Sequence, residues 1–288
     1  MMEAFKREDT AKGPSLFLLP QWAEQYAGLT AGFTSRLGGT SSKPWTSLNC
    51  GLHVGDETAA VVNNRVLLAD ALDWTFDSWT CAEQVHGNHI HRVTAADRGK
   101  GRLSRETAIA DADALVTDEK DILLTSFYAD CVPLYFFAPK QGVIALAHAG
   151  WKGTVLEIAR HTVQAMADGY GCAAEDIRAA IGPSIGSCCY EVDETVLRRV
   201  EPLVDDFSPE FRANPERWMQ PTENGRARIN LKEINRQIMI KAGILPMAIE
   251  LSEWCTGCNT ELFYSHRMEG GATGRMVSWI GMRGERLI

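Results

Sequence analysis

No stretch of this chain is apolar for long enough to cross a bilayer. The best run, residues 122–137, is broken by Asp130 and Pro133, whereas a spanning helix needs about 20 predominantly apolar residues. Basic charge is also short. The 29 Lys and Arg are outnumbered by 37 Asp and Glu, for a formal net charge of -8. That argues against a nucleic-acid or membrane-surface binder, which needs a basic face, but leaves room for a local cationic pocket. Met1 to Lys12 is polar and of mixed charge. It lacks an apolar segment and a cleavage pattern, so no secretory signal is expected. The 8 cysteines are then expected as reduced thiols of a cytoplasmic protein, not as disulfides. Internal repeats and low-complexity segments are absent as well.

What is present is ordinary globular composition, 45% hydrophobic and 23% charged over 288 residues, enough to bury a large core. Apolar β-rich runs alternate with helical patterns, which places the chain among mixed α and β proteins. Strands are expected at Leu29–Thr34, Ile90–Thr94, Ile122–Tyr128, Val132–Phe137, Val143–His148 and Met276–Met282. Helical periodicity covers Thr58–Leu72. Thr154 and Glu157 have the spacing of a capping box, so a helix is expected from Thr154, with Gly150–Gly153 as the loop before it. A further helix is expected from Val192 to about Val200, stopped by Pro202. Residues 205–228 read as a polar surface insertion, and Asn230 with Glu233 as the start of a helix ending near Gly243.

The hairpin formed by Val132–Phe137 and Val143–His148 carries the chemistry. Closed around Pro139–Gly142, it sets Cys131 opposite His148 or Ala149, where facing Cβ atoms lie about 4.5–5.5 Å apart. A thiol and an imidazole then meet at one end of a sheet. Three protein ligands and an open position define a catalytic zinc site, so a third ligand from elsewhere is required. Lys152, at the expected helix start, and Arg36, in a Gly-rich loop, are candidate anion-binding residues. Cys255 and Cys258 form a C-x-x-C pair, but no βαβ unit surrounds them. They read as small residues near the core.

Several ordered motifs then resemble one family: Gln84-Val85-His86-Gly87, Ala129-Asp130-Cys131-Val132-Pro133, Ala147-His148-Ala149-Gly150-Trp151, Ile181-Gly182-Pro183-Ser184-Ile185, Cys189-Tyr190-Glu191-Val192, Ser265-His266-Arg267 and Thr273-Gly274-Arg275, with Thr34-Ser35-Arg36 and Ser47-Leu48-Asn49 upstream. Together they are similar to the bacterial laccase-domain or peptidoglycan-editing-factor family, related to mammalian laccase-domain-containing protein 1. The resemblance implies an α+β fold of two packed mixed β-sheets flanked by helices, as a single catalytic domain over residues 29–288 after an extension, residues 1–28. It implies His86 as the third metal ligand beside Cys131 and His148. It also implies a zinc-dependent purine nucleoside phosphorylase acting on adenosine, inosine and methylthioadenosine, with adenosine deaminase activity, as a monomer or homodimer. Purine nucleosides and phosphate are the expected partners, with Arg36, Asn49 and Lys152 as the phosphate-binding candidates. After Arg267 this chain carries Met268-Glu269 where relatives often show a second basic residue.

Other mechanisms draw on the same residues. Zinc activates water for deamination, for which Asp130 and Glu83 are the nearby carboxylates in sequence, although the H-x-E signature of zinc deaminases is missing at His86. A copper-dependent polyphenol oxidase is the family's older label. The 7 histidines are too few for blue and trinuclear centres together, yet Cu2+ binds a zinc-type site more tightly than zinc does. A cysteine hydrolase or peptidoglycan-precursor editing enzyme would use Cys131 as nucleophile and His148 as base. A non-enzymatic interaction protein fits the acidic charge but not the convergence of reactive residues.

Overall fold

Two strands of the expected hairpin, Val132–Ala138 and Val143–Ala149, are buried at every position. A continuous apolar run of this kind belongs to a strand covered on both faces. In the computed structural model, which describes residues 3–284, they form the middle of a six-stranded sheet. Its spatial order is Ile249–Leu251, Arg178–Ile181, Val132–Ala138, Val143–Ala149, Ala114–Thr117 and Ile90–Arg92. A second six-stranded sheet runs Lys6–Asp9, Ser15–Leu18, Leu29–Thr34, Met276–Met282, Leu123–Tyr128 and Trp79–Cys81. Each mixes parallel and antiparallel neighbours.

Period-two alternation sorts the side chains into layers. Tyr135, Phe137, Ile144 and Leu146 face the other sheet and pack with its Phe33, Leu124, Tyr128 and Ile280. Leu134, Phe136, Ala145 and Ala147 point the other way, onto the helices Ile158–Tyr170 and Leu231–Lys241. The outer face of the first-strand sheet, with Trp79, Leu123 and Trp279, is covered by Leu68 of the helix Thr58–Ala71. The fold is therefore α+β, two packed mixed sheets flanked by helices in a single domain. No helix among the described residues is long and apolar enough to cross a membrane.

Several local expectations need correction. The hairpin register is one residue further along: Val132 pairs with Ala149 and Pro133 with His148. All of Pro139–Gly142 stays in the turn, because Gly142 takes a left-handed φ of 65° and donates its N–H to Ala138 O. The Thr154–Glu157 capping box does not form. A short helix starts earlier, at Trp151, with Gly150 at its N-cap. Thr154 is buried with its hydroxyl bonded to Asn235, so it is not free to cap. Pro202 lies inside the helix Glu194–Asp205, which continues past it because Leu203 and Val204 are buried. Residues 205–228 are more than a surface insertion. Phe211, Trp218 and Ala227 are core residues, and Met219–Pro221 and Ala227–Ile229 pair in a three-stranded sheet with Glu191–Val192. Residues 3–28 place two strands in a main sheet. Residues 1–2 and 285–288, the outer ends of the expected extension and domain, lie outside the described residues.

Gly32 is packed tightly against both sheets. Its carbonyl accepts the Tyr135 hydroxyl from the facing sheet at 2.8 Å. A Cβ there would meet the Trp279 ring at 2.4 Å and Phe17 O at 2.8 Å. Gly32→Ala is expected to lower unfolding free energy by about 1–3 kcal/mol through overpacking, read in urea titrations at unchanged m-value. An unchanged midpoint would show that the ring moves aside freely.

Candidate metal centre and its cavity

The chain crosses from one main sheet to the other between Tyr128 and Val132. The turn depends on Asp130, which adopts a φ of 86°. Its carboxylate accepts the Thr256 hydroxyl at 2.6 Å and the Arg267 N–H at 2.7 Å, and its carbonyl accepts the Ile185 N–H. Cys131 follows at the open end of the inter-sheet gap. His148, opposite Pro133, lies on the same face two residues along. His86 is brought in by the loop after Trp79–Cys81. Its Nε2 is 4.0 Å from Cys131 Sγ, and the donor atoms of all three residues lie within 4.8 Å of one another. Gly150 stands beside them: a Cβ there would sit 3.0 Å from Cys131 Sγ and 3.1 Å from the His86 ring.

Asp113 holds this arrangement, and sequence reasoning missed it. Its buried carboxylate accepts the N–H groups of Val85 at 3.1 Å, His86 at 3.0 Å and Gly87 at 2.6 Å. It also contacts His148 Nδ1 at 2.8 Å. That contact places the ring proton on Nδ1 and leaves the Nε2 lone pair for a ligand. The only hint in the sequence is an acid in the small-residue run Ala110-Asp111-Ala112-Asp113-Ala114, directly before a strand.

The electrostatics suit a cation. Burial alone pushes the Cys131 thiol up, but the His148 imidazolium and hydrogen bonds from His148 and His86 outweigh it and bring the thiol down to about 6. Burial likewise pushes His148 down, and the Cys131 thiolate and Asp113 raise it to about 9. In the absence of an ion this is a thiolate–imidazolium pair. One soft sulfur and two imidazoles fit zinc, whose bonds of about 2.0–2.3 Å match donors clustered this tightly.

The three donors line a cavity of about 760 Å³. Arg105, Lys152, Arg267 and Arg275 share its walls with Phe127, Trp151 and Tyr190. Of the anion candidates read from the sequence, Lys152 lines the cavity, whereas Arg36 and Asn49 do not. Arg36 is tied to Glu269 at 2.9 Å and to Thr260 O, and lies over the Tyr264 ring. Asn49 is buried and acts from behind, its Oδ1 accepting the N–H groups of Gly51 and Arg275. Arg275 was visible as part of a motif but without a role. Of the carboxylates, Glu83 is paired with Arg105 and Asp130 is engaged as above. Asp113→Asn replaces an acceptor with a donor facing backbone N–H groups. Zinc affinity is expected to fall about 10–100-fold, measured by competition with a chromophoric chelator. Unchanged affinity would show that the carboxylate does not orient the ligands.

The family described as multi-copper polyphenol oxidoreductase laccase matches residues 30–283 of the chain. A Geobacillus stearothermophilus protein named purine nucleoside phosphorylase YlmD is 46% identical over 263 residues, covering 91% of this chain and 93% of that protein. The Bacillus subtilis protein of the same name is 42% identical, covering 94% and 95%. The crystal structure of YlmD from Geobacillus stearothermophilus superposes with a TM-score of 0.90 at 43% identity, covering 98% of this chain and 100% of that one. By sequence and by fold, the chain belongs to this laccase-like family, whose relatives include proteins named purine nucleoside phosphorylases.

Proposed function

We propose that this protein is a zinc-dependent purine nucleoside phosphorylase of the cytoplasm, acting on adenosine, inosine and methylthioadenosine. The supporting observation is a His86–Cys131–His148 donor set in a cavity whose walls combine aromatic rings with cations. The cavity volume falls in the range of small-molecule sites. A nucleoside needs an apolar slot for its base, and Phe127, Trp151 and Tyr190 in the cavity lining contribute aromatic surface for it. Phosphate needs unneutralised cations. Lys152 has no carboxylate partner among the described residues, its ammonium lying near the Trp151 ring. Arg275 donates to the carbonyls of Thr273 and Gly274.

In phosphorolysis a phosphate oxygen bonds to C1′ while the C1′–N bond breaks and its electron pair leaves with the purine. The sugar passes through a cationic state. In this reading Lys152 and Arg275 hold phosphate beneath the ribose, Asn49 braces Arg275, and Asp113 keeps His148 turned toward the open end. His86, Cys131 and His148 would hold a zinc ion, which would supply Lewis acidity. Adenosine deamination would draw on the same ligands, but Asp130 and Glu83 are both engaged, so phosphorolysis is the better supported activity. A multicopper centre finds less support. His89 contacts Asp111 O and His91 pairs with Asp97, away from the donor set. The cysteine-hydrolase alternative requires a metal-free Cys131.

Purified protein supplied with inosine and phosphate is expected to release hypoxanthine and ribose-1-phosphate. Chelation should abolish turnover and zinc should restore it, and His86→Ala is expected to lose the zinc of this site and, with it, activity. A fully active metal-free protein would sink the zinc reading and favour a free Cys131 nucleophile. Lys152→Ala removes one charge-assisted contact of about 1.5–3 kcal/mol. It should raise KM for phosphate about tenfold to a hundredfold while leaving zinc content unchanged. A phosphate KM equal to wild type would move the phosphate site elsewhere.

A further inference from the structure

A second cluster of soft ligands lies outside the catalytic cavity. Cys188 and Cys189 sit in the loop after Arg178–Ile181, and Cys255 and Cys258 in the loop after Ile249–Leu251. These two strands are parallel neighbours, so their loops emerge at the same end of one sheet. The four sulfurs lie within 4.8 Å of one another. Cys188 Sγ is 3.5 Å from Cys255 Sγ and 3.3 Å from Cys258 Sγ, and Cys189 Sγ is 3.4 Å from Cys258 Sγ.

We propose that Cys188, Cys189, Cys255 and Cys258 form a second, structural zinc site with four thiolate ligands. Two disulfides would gather sulfurs in two bonded pairs of about 2.05 Å; here each sulfur is free and the set is compact as a whole. A tetrahedral ion with Zn–S of about 2.3 Å sets sulfurs about 3.8 Å apart, close to the separations observed. The local backbone is shaped for close approach. A Cβ at Gly257 would meet Cys189 Cβ at 2.8 Å, and one at Gly186 would meet Cys188 Sγ at 3.2 Å. The Gly186 N–H points at Cys255 Sγ at 3.1 Å, the polarity a thiolate wants. The surroundings also supply countercharge. Lys232 is buried, bonded to the carbonyls of Ser252 and Trp254 just ahead of Cys255, and has no ion-pair partner among the described residues. A zinc ion with four thiolates is net negative, and Lys232 would offset part of that charge.

The site would act on the cavity through its wall. Ile185 and Tyr190 line the cavity, as none of the four cysteines does, and they flank Cys188 and Cys189 in the chain. Thr256, between Cys255 and Cys258, bonds the Asp130 carboxylate that sets the turn before Cys131. Closed four-ligand coordination leaves no open position, which marks a structural and not a catalytic role.

Metal counting separates this site from the first. Full-length protein loaded with zinc and desalted under reducing, anaerobic conditions is expected to retain two zinc ions per chain. X-ray absorption should show more sulfur than nitrogen per zinc on average; the His86–Cys131–His148 site alone would show the reverse. The His86→Ala/Cys131→Ser variant should keep one zinc, ligated by sulfur alone at about 2.3 Å, whether or not the phosphorylase reading holds. Cys258→Ser, at an exposed position, should remove that zinc in this background and lower the melting temperature. A single nitrogen-rich zinc in the wild type, or no zinc in the His86→Ala/Cys131→Ser variant, would overturn the proposal. So would a disulfide among the four cysteines in the anaerobic protein.

Discussion

The geometry of the candidate metal centre depends on one buried carboxylate. Moving an ionised Asp out of water costs several kcal/mol unless its oxygens are satisfied. Asp113 meets that requirement with three consecutive backbone N–H groups and one imidazole. Consecutive N–H groups converge on one anion only where the backbone curls into a nest, and here the curl passes through His86, at a φ of 60°. The left-handed conformation is uncommon for a residue with a side chain. At His86 it both completes the nest and swings the ring toward Cys131. A single charge thereby positions two of the three candidate metal donors, one through its backbone and one through its ring.

The remaining donor is positioned by topology. Sheet-on-sheet packing leaves a gap at the end where the chain crosses over, and Cys131 is the first residue on the far side. Its neighbour across the hairpin is Gly150, where even one carbon would crowd both sulfur and imidazole. The register that brings Gly150 there is set at the opposite end, by the left-handed Gly142. A slip of one residue would send alternate side chains to the other face, putting His148 among the helices. Turn chemistry about a strand's length away thus decides whether Cys131 and His148 meet.

Much of this was legible in the sequence. Continuous apolar runs gave the central strands, with Leu29–Thr34 and Met276–Met282 at their observed bounds, and the hairpin brought Cys131 and His148 to one end of a sheet. His86 came only with the family resemblance, since no local period links residues that far apart. Asp113 was missed because a buried acid has no periodic signature. The Thr154 cap failed because a buried Asn235 from a distant helix took the hydroxyl. Pro202 failed as a stop because packing of Leu203 and Val204 outweighed the missing N–H. The pairing of Cys188-Cys189 with Cys255 and Cys258 rests on two loops made neighbours by a parallel strand pair, which composition cannot announce.

An acidic chain presenting a cationic cavity looks contradictory until the partners of each cation are traced. Arg65 donates to the carbonyls of Cys50, Gly101 and Arg102 and lies over the neighbouring rings of Trp79 and Phe127. Arg275 donates to carbonyls of its own loop, and Arg267 to Glu191 O, over the Tyr190 ring. Carbonyl dipoles and ring faces orient a guanidinium without cancelling its charge. Carboxylate partners are instead used where position alone matters: Glu269 holds Arg36 outside the cavity, and Arg105, paired with Glu83, is the one lining cation so neutralised among the described residues. Sorting cations by partner type leaves Lys152, Arg267 and Arg275 in the cavity wall without carboxylate partners among the described residues, in a chain of net negative charge. Such a field draws in small anions and rejects the polyanions that a uniformly basic surface would collect.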